Sequence, residues 1–264
     1  MNIFKHEIAA LKVSILKWAL GISFLALFWT AMYPSIARDS ENFKKIFNDF
    51  PPDVLSALGV MLDKVTSLNG FYSFIFSYVS LCGAIMAMLW GLTVLSKESS
   101  GKTMDFLLTK PAKRSVILTN KLLAVFFSIV LVDVIYYAVT SACAYLMNYD
   151  FDVKVFILIN LSLLFIEIMF LAIGFIIGAV FKRIKAPVSV TLGIVVGFFV
   201  IGLLDRLFED SGIKNISLLT YFDPNSIISN SSYDTKYVII SLALSIILII
   251  FSYIFFSKKD IHSA

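Results

Sequence analysis

Long apolar stretches separated by short polar segments dominate the pattern of this chain. A membrane-spanning helix needs about 20 mostly apolar residues, and six stretches meet that description. They lie at residues 15–36, 72–95, 116–147, 155–181, 188–204 and 237–256. The pattern predicts an all-α membrane protein with six transmembrane helices, in which residues 1–264 form a single transmembrane domain.

Composition supports this fold class and excludes others. The chain is 59% hydrophobic and 15% charged, whereas soluble domains average about 45–50% apolar and about 25% charged residues. Too few residues lie outside the predicted spans to build a separate soluble catalytic domain. Both cysteines, Cys82 and Cys143, fall within spans, so they predict no disulfide framework.

Basic residues predict the orientation, because lysine and arginine accumulate in short cytoplasmic loops. With the N-terminus inside, the inner segments hold 14 basic and four acidic residues, whereas the outer segments hold eight basic and 12 acidic residues. The opposite orientation would invert this bias. We therefore expect both termini to be cytoplasmic.

The residues before the first span also follow a pattern. Phe4, Ile8 and Leu11 recur at helical spacing, with Lys5 and Lys12 on the other side. This spacing predicts an amphipathic helix in the inner membrane interface. The alternative is a simple cytoplasmic extension of the first span.

The inner loop at residues 97–114 reads KESSGKTMDFLLTKPAKR and carries five basic residues around an apolar centre. A charged loop with an apolar centre is typical of a surface that docks on another protein. Residues 96–103 nearly match the phosphate-binding pattern GxxxxGK[ST], but Ser96 replaces the first glycine. That motif requires a β-strand and a helix around the loop, so we do not expect nucleotide binding here.

Two carboxylates lie within the spans, Asp133 in the third and Glu167 in the fourth. A charge at this depth costs about 2.5–3.5 kcal/mol on insertion scales, so such residues face a bundle interior or water. Helical spacing places Asp133 with Tyr137 and Thr140, and Glu167 with Asn160. These residues could line a translocation path or bind a coupling ion; a structural hydrogen bond between helices is the alternative.

Small-xxx-small patterns occur at Gly174 and Gly178 and again at Gly193 and Gly197. They allow close helix contact, and we expect internal packing rather than a dimer seam. With two histidines at opposite ends of the chain and no GxSxG motif, the sequence predicts neither a metal site nor a catalytic site. Nothing in it predicts nucleic-acid binding.

The loop after the second span resembles that of the ABC-2 type permeases, the membrane subunits of many bacterial ATP-binding-cassette exporters. Their pattern is an acidic residue, a glycine, an apolar stretch, a proline, a basic residue and a lysine in the next helix. It corresponds here to Glu98, Gly101, Met104, Phe106, Leu107, Leu108, Pro111, Arg114 and Lys121. Six spans and an outer segment at 218–224 extend the resemblance over nearly the whole chain, although Asp223-Pro224 stands where the family often has Ser-Pro or Thr-Pro.

The resemblance implies a coupling helix in the 97–114 loop that docks on a separate cytoplasmic ATPase. It further implies two ATPase copies per transporter, a second permease subunit, identical or different, and a location in the bacterial plasma membrane in contact with lipid. ATP and Mg²⁺ would be bound by the partner, and no cofactor by this chain. The alternative is that the loop rests on lipid headgroups.

The apolar spans favour a hydrophobic or amphipathic substrate, and an antimicrobial or cytolytic peptide is our first expectation. Export of ions, drugs or lipid-linked glycans remains open. Two rival classes are a secondary transporter or ion pathway that uses Asp133 and Glu167, and an intramembrane enzyme, which would need a catalytic cluster that the sequence does not display.

Overall fold

The computed structural model describes residues 3–39, 41, 45, 50–51, 54–55, 67–100, 114–146, 151–181, 184–207 and 216–258, with backbone alone at 97–100. Over these residues the structure has seven helices, all of them α-helices. In chain order they are α1 (Ile3–Arg38), α2 (Leu68–Ser100), α3 (Arg114–Leu146), α4 (Val153–Val180), α5 (Pro187–Leu207), α6 (Pro224–Asn230) and α7 (Thr235–Lys258).

Six of these helices are long and apolar enough to cross a membrane, and α6 is too short to do so. The protein is therefore a multi-pass membrane protein, and the six predicted spans are confirmed. Each helix extends past at least one predicted boundary, because hydrogen bonding continues beyond the apolar residues that mark a span.

Capping residues explain where several helices begin and end. The Asp152 side chain accepts a hydrogen bond from the Val155 backbone N–H at 3.1 Å and so caps α4. Pro187 is the first residue of α5, where its missing N–H costs nothing. At the far end of α6, Ser231 adopts a left-handed conformation, with φ of 49°, and its N–H bonds to the Ile227 carbonyl.

The bundle is built around α2 and α4, which pack along each other and are the most buried spans. Helix α1 lies along α3, α7 lies along α4, and α5 contacts α2. In contrast, α3 and α4 touch only sparsely although they are consecutive. Large apolar side chains cover the outer faces of the peripheral helices, including Phe24, Leu131 and Ile250, as expected where lipid replaces water.

The N-terminal residues differ from the sequence prediction. We expected a separate interfacial helix, but α1 continues without a break from Ile3 to Arg38. The residues before the first span contain no proline or glycine that would turn the chain. They also pack on α3: the ring of Phe4 meets that of Phe127, and Glu7 is buried. The alternative, an extension of the first span, describes α1 better.

Candidate functional site

Close approach of α2 and α4 depends on glycines. A Cβ at Gly91 would lie 2.6 Å from the Leu171 carbonyl oxygen, and one at Gly178 would lie 2.8 Å from the Leu92 carbonyl oxygen. Gly174 faces the Met88 carbonyl oxygen even more closely. Only glycine allows two helix backbones to approach this closely, so the predicted internal packing of Gly174 and Gly178 is confirmed.

Gly193 and Gly197 on α5 behave differently. A Cβ at either position would meet nothing within 4 Å, and both residues are exposed. The prediction of internal packing is therefore wrong for this pair. The two small-xxx-small patterns look alike in sequence, and only the rotation of each helix in the bundle distinguishes them.

The two intramembrane carboxylates meet in the middle of the bundle. Asp133 lies near the centre of α3 and Glu167 near the centre of α4, and the two carboxyl groups are close neighbours. None of their four carboxyl oxygens has a hydrogen-bond partner among the described residues. We call Asp133 and Glu167 the carboxyl pair.

Gly83 of α2 makes room for this pair. A Cβ there would lie 2.5 Å from Glu167 Oε1 and 2.9 Å from Leu163 Cδ1. Any larger residue would push the Glu167 carboxyl away from its position. Sequence reasoning did not single out Gly83, since it belongs to no spaced glycine motif.

A hydrogen-bonded cluster lies next to the carboxyl pair and joins α2, α3 and α4. The hydroxyl groups of Tyr72 and Tyr136 are hydrogen-bonded, and Tyr72 donates to Asn160 Oδ1 at 2.8 Å. Asn160 Nδ2 donates to the Phe156 carbonyl, and Thr140 Oγ1 donates to the Tyr136 carbonyl. We call Tyr72, Tyr136 and Asn160 the tyrosine cluster; all three are buried.

A groove opens on the outer side of these residues, where α3 and α4 diverge. Its volume is about 310 Å³. Three polar residues line it, Asp133, Tyr137 and Asn160, together with apolar side chains that include Val134, Ile157 and Leu161. Those three apolar residues are 43–58% exposed, so the groove faces outward from the bundle. We call this the α3–α4 groove.

The structure brings together several of the residues that the sequence placed on a candidate translocation path. Asp133 and Glu167 are close neighbours, Asn160 and Thr140 are buried, and Asp133, Tyr137 and Asn160 line the groove. Tyr136, rather than its neighbour Tyr137, makes the interhelical hydrogen bond. Sequence reasoning missed Tyr72 and Tyr136, and the only signal for them was a hydroxyl within an apolar run.

Most of the predicted coupling residues fall outside the described part of the chain. Gly101, Met104, Phe106, Leu107, Leu108 and Pro111 are not described, and Glu98 is described as helical backbone alone. Arg114 begins α3, and its Nη1 donates to the Ser257 carbonyl at 2.9 Å. The coupling helix therefore stays a prediction.

Close to this loop, one buried ion pair joins three helices. Lys121 Nζ on α3 lies 2.6 Å from Glu7 Oε1 on α1 and donates to the Val94 carbonyl on α2 at 3.1 Å. Both side chains are almost wholly buried. Lys121, the last residue of the loop pattern, thus links α2 and α3, the helices that flank residues 101–113, to α1.

At the opposite end of the bundle, residues 216–234 fold inward. Phe222 stacks on Phe165, about 12 residues into α4, with ring centroids 5.1 Å apart. Tyr233 donates to the Leu158 carbonyl at 2.6 Å, and burial raises its pKa, which keeps the hydroxyl protonated. Arg206 Nη2 lies 3.2 Å from Asp223 Oδ1, the residue that caps α6.

Comparison with protein families assigns the chain. Residues 1–261 match the model of the ABC-2 family transporter protein. The chain belongs to this family. A sequence search of curated proteins returns no match.

Membership confirms the resemblance drawn from the 97–114 loop and the number of spans. The protein is the membrane permease subunit of an ABC-2 transporter. Permease subunits of this family lack the ATPase domain, so the chain is not itself an ATPase, and membership implies in general a partner ATPase. In the described part of this ABC-2 permease, no three histidine, cysteine, aspartate or glutamate side chains group together to hold a metal ion.

Proposed function

We propose that this ABC-2 permease exports a hydrophobic or amphipathic substrate, with an antimicrobial or cytolytic peptide as the first candidate. The observation that carries the proposal is the family match over residues 1–261. The arrangement of the bundle supports it: the spans are mostly apolar, and one group of their buried polar side chains forms the tyrosine cluster next to the carboxyl pair. A purely charged substrate would find few partners along such helices.

The transporter comprises two permease subunits and two ATPase subunits in the plasma membrane of a bacterial cell, with both ends of this chain in the cytoplasm. The excess of basic residues in the inner segments supports that orientation. The exposed glycines of α5, Gly193 and Gly197, favour that helix as the seam between permeases, since a small-residue face lets helices from two subunits approach closely.

The partner ATPase acts through the 97–114 loop. ATP binding brings the ATPases together, and the apolar residues Met104 to Leu108 transmit that movement to α2 and α3. Two features support this route: the loop directly joins these helices, and Lys121 ties α3 to α1 and to the α2 carbonyl of Val94. The permease pathway then changes its access from one side of the membrane to the other.

Substitution of an acidic residue into the apolar stretch Met104 to Leu108 tests this coupling. Phe106→Asp and Leu107→Asp place a carboxylate in an apolar groove of the ATPase, where an unpaired charge is costly. We expect both variants to lose ATPase association and ATP-dependent export. Phe106→Leu keeps this stretch apolar, and Ser99→Asp adds the same charge outside it; both should retain export. Normal assembly and transport by Phe106→Asp would show that the coupling assignment is wrong.

The carboxyl pair favours a second candidate, an ion pathway through the bundle. Two neighbouring carboxyls without a hydrogen-bond partner in the described residues are suited to a proton or sodium relay. Transport by such a pathway would persist without the ATPase and would stop in both Asp133→Asn and Glu167→Gln. Flux measured in vesicles with and without ATP and the partner separates the two candidates.

A further inference from the structure

The α3–α4 groove combines two properties that rarely occur together in a membrane-facing surface. Its walls are mostly apolar and exposed, and an acidic residue, Asp133, lines it with both carboxyl oxygens buried. Its volume of about 310 Å³ falls at the lower end of small-molecule sites, which occupy about 300–1,000 Å³. It is therefore large enough for a polar headgroup and the adjoining part of a hydrocarbon chain.

The carboxyl pair has no positive partner among the described residues. Neither Asp133 nor Glu167 accepts a hydrogen bond from a lysine, arginine or any other donor there. Gly83 of α2 and Leu163 of α4 lie beside Glu167, and the hydroxyl of Tyr136 on α3 is nearby. A carboxyl at this depth is neutralised by a proton or by a cation, because an unpaired charge there is costly.

The two carboxyls of the pair differ in their surroundings. Glu167 is fully buried against α2, whereas Asp133 lines the groove. Glu167 is therefore shielded from the groove, whereas Asp133, whose carboxyl oxygens are buried at the groove wall, is the residue at which a cation can replace the proton. Tyr137, which is 39% exposed at the groove, offers an aromatic face beside it, and such faces attract ammonium groups.

We propose that the α3–α4 groove binds a cationic amphiphile from the membrane. Its ammonium or guanidinium group pairs with Asp133, and its hydrocarbon part lies along Val134, Ile157 and Leu161. An anionic lipid would find no partner for its charge at a carboxyl group, and a neutral acyl chain would leave Asp133 without a partner. As a statement about the exported substrate, the inference rests on the proposed function; as a statement about binding, it needs neither ATP nor the partner.

Carbodiimide labelling tests this site on the full chain in nanodiscs of zwitterionic lipid. Dicyclohexylcarbodiimide is apolar and modifies protonated carboxyls that it reaches from the hydrocarbon phase. Without ligand, we expect Asp133 to be protonated and therefore reactive, and mass spectrometry of peptides should locate the adduct on Asp133. At about ten times its dissociation constant, decyltrimethylammonium should lower this labelling about tenfold, following the occupancy of a single site. Decyl sulfate and decyl maltoside should leave it unchanged.

Three variants complete the test. Leu161→Trp narrows the groove without changing the carboxyls and should abolish the protection, while Leu131→Trp, which is exposed on α3 and outside the groove lining, should not. Asp133→Asn removes the adduct and the saturable binding of radiolabelled decyltrimethylammonium. Its thermal unfolding should show a folded protein, because asparagine has nearly the shape of aspartate and needs no counter-charge.

Three results would overturn the proposal. An unlabelled Asp133 would mean that the membrane phase does not reach it. Equal protection by the anionic or neutral amphiphile would mean that the groove does not recognise charge. Disulfide-linked dimers through Leu161→Cys, with Asp133 protected only in the dimer, would mean that a second copy fills the groove. None of these results depends on an ATPase, so failure of the proposed function would leave this binding test intact.

Discussion

Lys121 Nζ lies 2.6 Å from Glu7 Oε1, and the two buried side chains join α3 to the first turns of α1. The same ammonium donates to the Val94 carbonyl on α2. The Lys121 ammonium therefore links α1, α2 and α3, at the end of the bundle where α2 ends and α3 begins. Because a buried charge without its partner is costly, the pair fixes how these helices sit together.

Breaking this pair from one side should strongly destabilise the bundle. Lys121→Met and Glu7→Gln should each lower the free energy of unfolding by about 3–5 kcal/mol, since each leaves a charge or polar group buried alone. The double variant should lose clearly less than the sum, because neither uncompensated charge remains. Denaturant unfolding of the purified protein in detergent measures all three, with exposed Lys12→Met as the control. Simple additivity would show that the two residues do not act as a pair.

Two glycines that are alike in sequence should differ in their tolerance of a methyl group. Gly174→Ala places a Cβ against the Met88 carbonyl on α2 and should cost about 1–3 kcal/mol through overpacking. Gly197→Ala meets nothing within 4 Å, so its purified monomer should unfold at or above the wild-type temperature. Thermal unfolding of the two variants gives the comparison. Equal melting temperatures would refute the close approach of α2 and α4.

The tyrosine cluster should contribute measurably to stability. Tyr72→Phe removes a hydroxyl that donates to Asn160 Oδ1 and is bonded to Tyr136. Interhelical hydrogen bonds in membranes are worth about 0.6–2 kcal/mol each, and we expect a loss in that range. Tyr78→Phe, half-buried on the same helix, is the matched control. If both variants unfold alike, the buried hydroxyl adds nothing specific.

Asp223 has two roles that substitution can separate. Its Oδ1 pairs with Arg206, and its Oδ2 accepts from the Ser226 backbone N–H at 3.1 Å. Asp223→Asn keeps a good helix cap and loses the charge, whereas Asp223→Ala loses both and should cost about 1 kcal/mol more. Thermal unfolding reports the difference, and Arg206→Gln should match the asparagine variant. Asparagine and alanine variants of equal stability would eliminate the capping role.

The sequence predicted the helices well because a span of about 20 apolar residues has no competing interpretation in a chain of this composition. It also singled out Asp133 and Glu167, since a carboxyl is conspicuous in an apolar run. It could not predict that they lie close together, because their proximity depends on how α3 and α4 rotate about their axes.

That rotation is hard to predict when a helix is apolar all round, since periodicity then gives no preferred face. Tyr136 and Tyr137 illustrate this: spacing alone favoured Tyr137, whereas Tyr136 faces the interior. Gly83 shows a second limit. Its importance derives from a glutamate on another helix, and no pattern within α2 could reveal it.

The central claim is that this permease works only with a separate ATPase, bound through the 97–114 loop. Purification of the tagged permease from its native membrane in mild detergent, followed by quantitative mass spectrometry, tests it most directly. We expect an ABC ATPase subunit in an amount about equal to the permease, lost in Phe106→Asp and kept in Phe106→Leu. A fully active wild-type permease that copurifies with no ATPase, and whose transport continues without ATP, would contradict the account.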